Sequence, residues 1–370
     1  MKKLMFAGLA AVTAALCACG DGQKNQVTLN GTTDLADDEV LILSYRLNPD
    51  STVTDTITVT GGQFTYTANI DRPRQAVIFN GVPSRNNYRM RNFYLQPGTI
   101  SFVLEGDNYT GAEVKGSQLT FEKDSLNAVF SSVYDQMRPL YGRYEEANSQ
   151  NDTTAMAAIN NEIKAYNEQL QTVRTDFIKN HPSSYVSAEL LSSIQSSLDL
   201  EELKALYNSL SPEVQAEAEA TGKYIAALDN LTPGKPAPAI SGKNQNGEEV
   251  SLADLKGKVV LLDFWATWCG PCRASLPHVK ELWEKYNGKG MQVLAVSLDR
   301  DQDAWKDYIA NSGMGMENYV NIFDEGGVNA EGYAIQYIPS KFFIDREGNF
   351  VGRFDNEEEL NAKLAELLGE

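Results

Sequence analysis

Histidine is nearly absent from this chain of 370 residues: there are two, His181 and His278, far apart in sequence. Cysteine is scarcely commoner, at four, and two of these, Cys17 and Cys19, fall at the amino terminus. A structural zinc site needs about four nitrogen or sulfur ligands, so a bound metal is not expected. Beyond Cys19 only Cys269 and Cys272 remain, which excludes a fold stapled by several disulfides. Positive charge is also short, with 32 Lys and Arg against 50 Asp and Glu and a formal charge of −18. That balance argues against nucleic acid as a partner and against a surface held to anionic lipid by charge. No apolar run reaches the ~20 residues that a helix needs to cross a bilayer. No phosphate-binding glycine loop or dinucleotide fingerprint occurs, and no cofactor is expected.

What is present begins with a leader. Lys2 and Lys3 precede an apolar run of 13 residues, 4–16, the size of the apolar region of a secretory signal. The run ends Leu16-Cys17-Ala18-Cys19-Gly20, which resembles the lipobox of bacterial lipoproteins. A small residue precedes the modified cysteine there, so the resemblance implies lipidation of Cys19 rather than Cys17. The competing reading is an ordinary cleaved signal in which Cys19 is incidental. A lipidated chain would be anchored firmly, because each buried methylene contributes ~0.8 kcal/mol. On this reading residues 1–18 are a signal peptide and 19–25 a tether, and the protein sits in the cell envelope facing the periplasm.

Residues 26–115 are dense in strand signals. Val53, Asp55, Ile57 and Val59 are spaced by two, as are Phe64, Tyr66 and Ala68, with Gly61-Gly62 between them. This predicts a hairpin with a two-residue turn inside a small antiparallel sandwich or barrel. Arg72, Arg74, Arg85, Arg89 and Arg91 cluster here, either as a docking patch for an acidic partner or on solvated loops and strand edges. Residues 116–230 change to helical spacing. Met156, Ile159, Ile163, Tyr166, Leu170, Val173 and Phe177 step by three and four, a heptad seam. It predicts a helical hairpin with the preceding helix, or a dimer through a coiled coil. Further helices are expected over 185–198 and 200–228. The stretch 231–239, rich in proline, is a stiff linker and the expected domain boundary.

Residues 240–370 alternate strand and helix, which predicts an α/β domain with a parallel centre. The run 258–265 is almost unbroken in apolar residues, as in a strand buried on both faces. Cys269-Gly270-Pro271-Cys272 follows it and opens a helix. A lone C-x-x-C is a weak signal. At a helix start, free N–H groups and the helix dipole favour a thiolate on Cys269. Cys272 lies one turn on, as the resolving thiol. Gly270 leaves room for a partner chain. Pro271 suits the first helical turn, where its missing N–H costs nothing.

The segment from Asp263 to Cys272 closely resembles the active-site segment of thioredoxin. The preceding Pro-Gly-Lys-Pro-Ala-Pro at 233–238 and the following Tyr337-Ile338-Pro339-Ser340 resemble the TlpA and ResA branch. The likeness covers about residues 235–370, and the layout is similar to multidomain thioredoxin-like lipoproteins of Bacteroidetes-type bacteria with an amino-terminal β-rich domain. It implies a thioredoxin fold, thiol–disulfide exchange through a reversible Cys269–Cys272 disulfide, and a low potential set partly by Pro271. It implies that Asp263, buried under the site, takes the proton of Cys272, and that Trp268 shields the disulfide and packs on its loop. Pro339 is the cis-proline facing the cysteines, leaving the backbone of Ile338 to pair with substrate. One departure stands out. The lysine that accompanies this aspartate in thioredoxin has an apolar counterpart here, Ala295, so the pKa of Asp263 is expected to be less restrained by positive charge. The implied substrates are disulfides of exported proteins, with electrons from an unidentified membrane donor. Two other readings compete. A peroxidase of the peroxiredoxin class needs a proline and a threonine or serine upstream of its cysteine, where Leu262 and Ala266 stand. A binding or scaffolding lipoprotein with an accessory redox domain is the third.

Overall fold

The computed structural model describes residues 25–48, 51–81 and 89–370. The expected signal peptide, Cys19 and Arg85 lie outside the described residues. The chain divides into two compact units, Met1–Leu170 and Gln171–Glu370. The division falls inside a long helix and not at the proline-rich stretch, so the short helices before that stretch group with the α/β domain. Among the described residues, no helix is long and apolar enough to cross a membrane.

The first unit starts with eight strands: β1 (Gln26–Thr33), β2 (Val40–Asn48), β3 (Ser51–Thr58), β4 (Gln63–Asn69), β5 (Arg74–Phe79), β6 (Met90–Leu95), β7 (Gly98–Leu104) and β8 (Val114–Lys115). They form two four-stranded sheets, β4-β1-β7-β8 and β3-β2-β5-β6. Alternate residues such as Leu29, Leu41, Ile78 and Phe102 meet in one core, which makes this a sandwich. Most pairings are antiparallel, but β1 runs parallel to β7. The expected hairpin across Gly61-Gly62 is not one. β3 pairs with β2 and β4 with β1, and only Thr60 and Gln63 bridge the turn. The chain steps there from one sheet to the other, so Ile57 and Phe64 enter the same core from different sheets. A period of two shows which face a residue takes, not which sheet receives the strand.

The arginine cluster also differs from expectation. Arg74 and Arg91 are buried. Arg74 holds Asp71 and the carbonyl of Leu47; Arg91 holds Asp124 and the carbonyls of Ala112 and Asn92. Arg89 donates to Asp107 at 2.8 Å. The guanidiniums of Arg74 and Arg91, with several donors in fixed geometry, close the sandwich and tie it to the next helix, while Arg89 and Asp107 pair on the solvent side.

α1 (Gln118–Ser149) is capped by the Ser117 hydroxyl, which accepts from Thr120 N. α2 (Thr153–Asn180) follows after a short turn. Val133, Met137, Leu140 and Ala147 of α1 pack on Ile159, Ile163, Tyr166 and Leu170 of α2. Arg143 grips Glu162 with two bonds of 3.0 Å. The heptad seam of α2 therefore lies against α1 of the same chain.

The second unit takes in α3 (Tyr185–Ile194), α4 (Leu200–Ser209), α5 (Pro212–Glu217) and α6 (Glu219–Asn230). The single helix expected over 200–228 is three: Pro212 cannot continue α4 and instead begins α5, and a second break falls at Ala218, between α5 and α6. The helix expected over 185–198 ends at Ile194 in a 3-10 turn. A small hairpin, β9 (Ser241–Lys243) with β10 (Glu249–Ser251), leads to β11 (Val259–Trp265), α7 (Gly270–Tyr286), β12 (Met291–Ser297), α8 (Gln302–Asn311), β13 (Val320–Phe323), α9 (Val328–Gly332), β14 (Ser340–Ile344), β15 (Phe350–Arg353) and α10 (Glu357–Leu368). The sheet runs β13-β12-β11-β14-β15, parallel among the first three and antiparallel at β14 and β15. Every residue of β11 is buried. Val259, Leu261 and Trp265 face the core shared with α7, α8 and α10; Val260, Leu262 and Phe264 face the other. Asp263 therefore falls on the α7 face, at a place where the pattern calls for an apolar residue.

Candidate active site

β11 delivers the chain to a three-residue loop, Ala266-Thr267-Trp268, and α7 begins at once after Cys269. Cys269 is the N-cap of that helix: its backbone is extended and its Sγ accepts from Cys272 N at 3.1 Å. This is the place where a helix leaves N–H groups without carbonyl partners and where its dipole is most positive. The two sulfurs are joined in a disulfide. Cys269 is 5% exposed and Cys272 1%, so what little access there is belongs to the first. Around Gly270 no atom lies within 4 Å of where a Cβ would stand, and Pro271 takes the first turn. Pro277 sits inside the helix.

Across from the disulfide, the Ile338-Pro339 peptide is cis. The carbonyl oxygen of Ile338 lies 3.8 Å from Cys269 Sγ. Trp268, next to Cys269, is 64% exposed, while Trp265 lies in the core beneath the loop.

A correction concerns Asp263. It has a positive partner: Lys341 Nζ donates to its Oδ1 at 3.0 Å. Lys341 comes from β14, where it is the register partner of Asp263 across the antiparallel pair. The strand on the other side places Ala295 opposite Asp263, so the expected lysine position is empty of charge and its function is taken up from the neighbouring strand. Lys341 also donates to Ser275 Oγ at 3.1 Å, and that hydroxyl donates to the carbonyl of Cys272 at 2.9 Å. Asp263 is 2% exposed and Lys341 8%. Burial holds the Asp263 carboxyl above the usual carboxylate range, and the charge and hydrogen bond of Lys341 oppose that rise without cancelling it.

A second buried carboxylate was not anticipated. Asp299 accepts from Thr267 N at 3.0 Å, from Thr267 Oγ1 at 2.6 Å and from Ser297 Oγ at 2.7 Å. It clamps the loop two residues before Cys269 to the end of β12. The available signal was an aspartate just past a buried apolar strand. His278 bonds Asn361 at 3.0 Å on the outer side of α7, and His181 stacks on Phe177 in α2.

Comparison with known proteins places this geometry. Residues 233–352 match the AhpC/TSA family, and residues 27–121 match a domain of unknown function (DUF4369). The thiol-disulfide oxidoreductase ResA of Bacillus cereus is 30% identical over 145 residues, which is 39% of this chain and 82% of that protein. The chain belongs to the TlpA/ResA-like thioredoxin family. The thioredoxin-like protein YneN of Bacillus subtilis is 36% identical over 118 residues, 32% of this chain and 68% of its own. Among solved structures, a putative thiol:disulfide interchange protein DsbE from Chlorobium tepidum is 34% identical, covers 38% of this chain and 99% of its own, and aligns with a TM-score of 0.35. By its family match and its likeness to ResA, the carboxy-terminal α/β domain is a thioredoxin fold and the protein is a thiol-disulfide oxidoreductase.

In this ResA-like site the pair Asp263–Lys341 makes a testable link between ionisation and stability. A carboxyl whose folded pKa lies above its ordinary 3.8 ionises first in the unfolded chain. Stability then falls as pH rises from about 3.8 toward the folded value, and levels off beyond it. In Lys341→Met the opposing charge is gone. The carboxyl of Asp263, followed by carbon NMR, is expected to titrate at higher pH, and the declining window of stability to extend upward by ~1.4 kcal/mol for each unit. A titration that stays in place or moves to lower pH would show that Lys341 does not govern this carboxyl.

Proposed function

We propose that this protein is a lipid-anchored reductase of disulfides in exported proteins, facing the periplasm. One observation carries the chemistry: Cys269 caps the start of α7 while Cys272 lies buried behind it. In the reduced form, the Cys269 thiolate attacks one sulfur of a substrate disulfide. The other substrate sulfur leaves as a thiolate and takes a proton from water. Cys272 then gives its proton to the Asp263 carboxylate and attacks Cys269 Sγ. The second substrate thiolate departs, and two electrons have passed from the dithiol to the substrate. The oxidised protein regains them from a membrane-borne dithiol donor. Lys341, on Asp263 and one hydroxyl away from the Cys272 carbonyl, keeps the carboxylate accessible as a base in an otherwise apolar core.

The attack order supports a trapping experiment. Cys272→Ser should stop the reaction after the first step, so the chain accumulates as mixed disulfides with its substrates that dithiothreitol releases. Cys269→Ser should trap little. Equal or greater trapping by Cys269→Ser would assign the nucleophile to the wrong sulfur.

The anchor rests on the segment 16–20, Leu-Cys-Ala-Cys-Gly. Mass spectrometry of the mature amino terminus from the membrane fraction should find Cys19 first and carrying acyl chains. A mature terminus at another residue, or Cys19 as a free thiol, would rule the anchor out.

A further inference from the structure

The backbone of Ile338 faces the disulfide, with its carbonyl oxygen 3.8 Å from Cys269 Sγ. Gln336, Tyr337 and Ile338 belong to no helix or strand. Among the described residues, their N–H and C=O groups make no backbone–backbone hydrogen bond. Side chains must therefore place this stretch, and they meet at Arg353 on β15. The guanidinium carbon lies over the Tyr337 ring, 4.3 Å from its centre. The edge of the same group donates from Nε to both oxygens of Asp355, at 3.0 and 2.9 Å, and from Nη2 to Ser340 Oγ at 3.0 Å. Ser340 Oγ donates to the carbonyl of Tyr337 at 2.6 Å, and the Tyr337 hydroxyl donates to Asp355 at 3.2 Å. Ring, hydroxyl and carbonyl of Tyr337 are thus each tied to Arg353, directly or through one group.

An ion pair as exposed as Arg353–Asp355 adds little to stability by itself. What sets this one apart is that the guanidinium uses its flat face and its forked edge together, on two residues that bracket Ile338-Pro339. A lysine has neither the face nor the fork. We propose that Arg353 is a positioning residue for protein substrates. By clamping Tyr337 and Ser340 it fixes the backbone of Ile338 as a short edge, with N–H and C=O free, on which an extended substrate segment pairs beside its disulfide. Pairing of this kind draws its affinity from the main chain, so it accepts many substrate sequences. Arg353 acts through Tyr337 and Ser340 and takes no part in the exchange of sulfur. The proposal rests on the reading that Cys269 attacks disulfides of proteins.

Steady-state reduction of bovine insulin by the full chain, with dithiothreitol as the electron source, separates binding from chemistry. Arg353→Met keeps the length of the side chain and loses the planar face and the donors. Its KM for insulin should rise about tenfold while kcat stays within about twofold, the signature of binding lost equally from ground and transition states. Arg353→Lys should behave like Arg353→Met, because the charge is kept but the face and fork are gone. Ser340→Ala cuts the bond from Arg353 and the bond to the Tyr337 carbonyl, and should raise KM about threefold; it decides the matter if Arg353→Met does not fold. A wild-type KM in Arg353→Met or in Ser340→Ala would overturn the clamp. So would a wild-type KM in Arg353→Lys, since charge alone would then suffice. A fall in kcat as large as the rise in KM would also overturn it, because the damage is then to the site as a whole. If the unaltered protein does not reduce insulin, the reading of its substrates fails and the clamp with it. If it does, and the variants match it, only the clamp is wrong.

Discussion

Asp263 and Lys341 meet at 3.0 Å inside a core of aliphatic and aromatic side chains. Taking either charge out of water costs several kcal/mol, and removing one partner of such a pair typically costs ~3–5 kcal/mol because the other is left stranded. The surrounding structure is constrained by this. β11 and β14 must pair in the register that sets these residues opposite each other; a slip of one residue would turn every side chain of β14 to the wrong face. α7 must lie where Ser275 can take the second bond from Lys341. An ion pair that is weak as a source of stability thus fixes the sheet, the helix and the carbonyl of Cys272 relative to one another.

The helix start is held separately. Asp299 grips Thr267 by backbone and side chain, and Ser297 steadies Asp299. Asp324, at the end of β13, accepts from Asn329 and Ala330 and so fixes the start of α9 on the same edge of the sheet. These bonds to carboxylates are of the stronger, charge-assisted kind. They let Cys269 sit at a helix N-terminus with its carrier loop rigid, while Gly270 and the exposed Trp268 leave the approach side open. The thiolate is favoured by geometry that exists before any substrate arrives.

How much of this could be read in the sequence follows from the range of each interaction. Cys269 to Cys272 was legible because strand, loop and helix start are contiguous, and every residue of β11 is apolar except Asp263. Lys341 was not, because it reaches Asp263 only through strand pairing over 78 positions; within its own segment it looks like an ordinary polar residue opening a strand. Asp299 meets Thr267 across 32 positions and shares the difficulty. The sandwich was visible as alternation, but the sheet each strand joins depends on long-range contacts, which is why Gly61-Gly62 passed for a hairpin turn. β1 and the short β13 carried too little pattern to be noticed. In the helical region the periodicity identified the α1–α2 seam, and Pro212 marked a break that the apolar spacing alone had bridged.

The direction of electron flow is the central claim, and the reduction potential of the Cys269–Cys272 couple tests it most directly. Equilibration of the full chain with glutathione or dithiothreitol buffers of known potential, read by thiol alkylation, gives the value. A helix-start dithiol spaced by Gly270 and Pro271 and acting as a reductant should lie near the thioredoxin potential of about −270 mV. A value near −120 mV, as in a disulfide-forming oxidase, differs by about 7 kcal/mol for a two-electron couple and would contradict the account: the protein would then put disulfides into its partners instead of removing them.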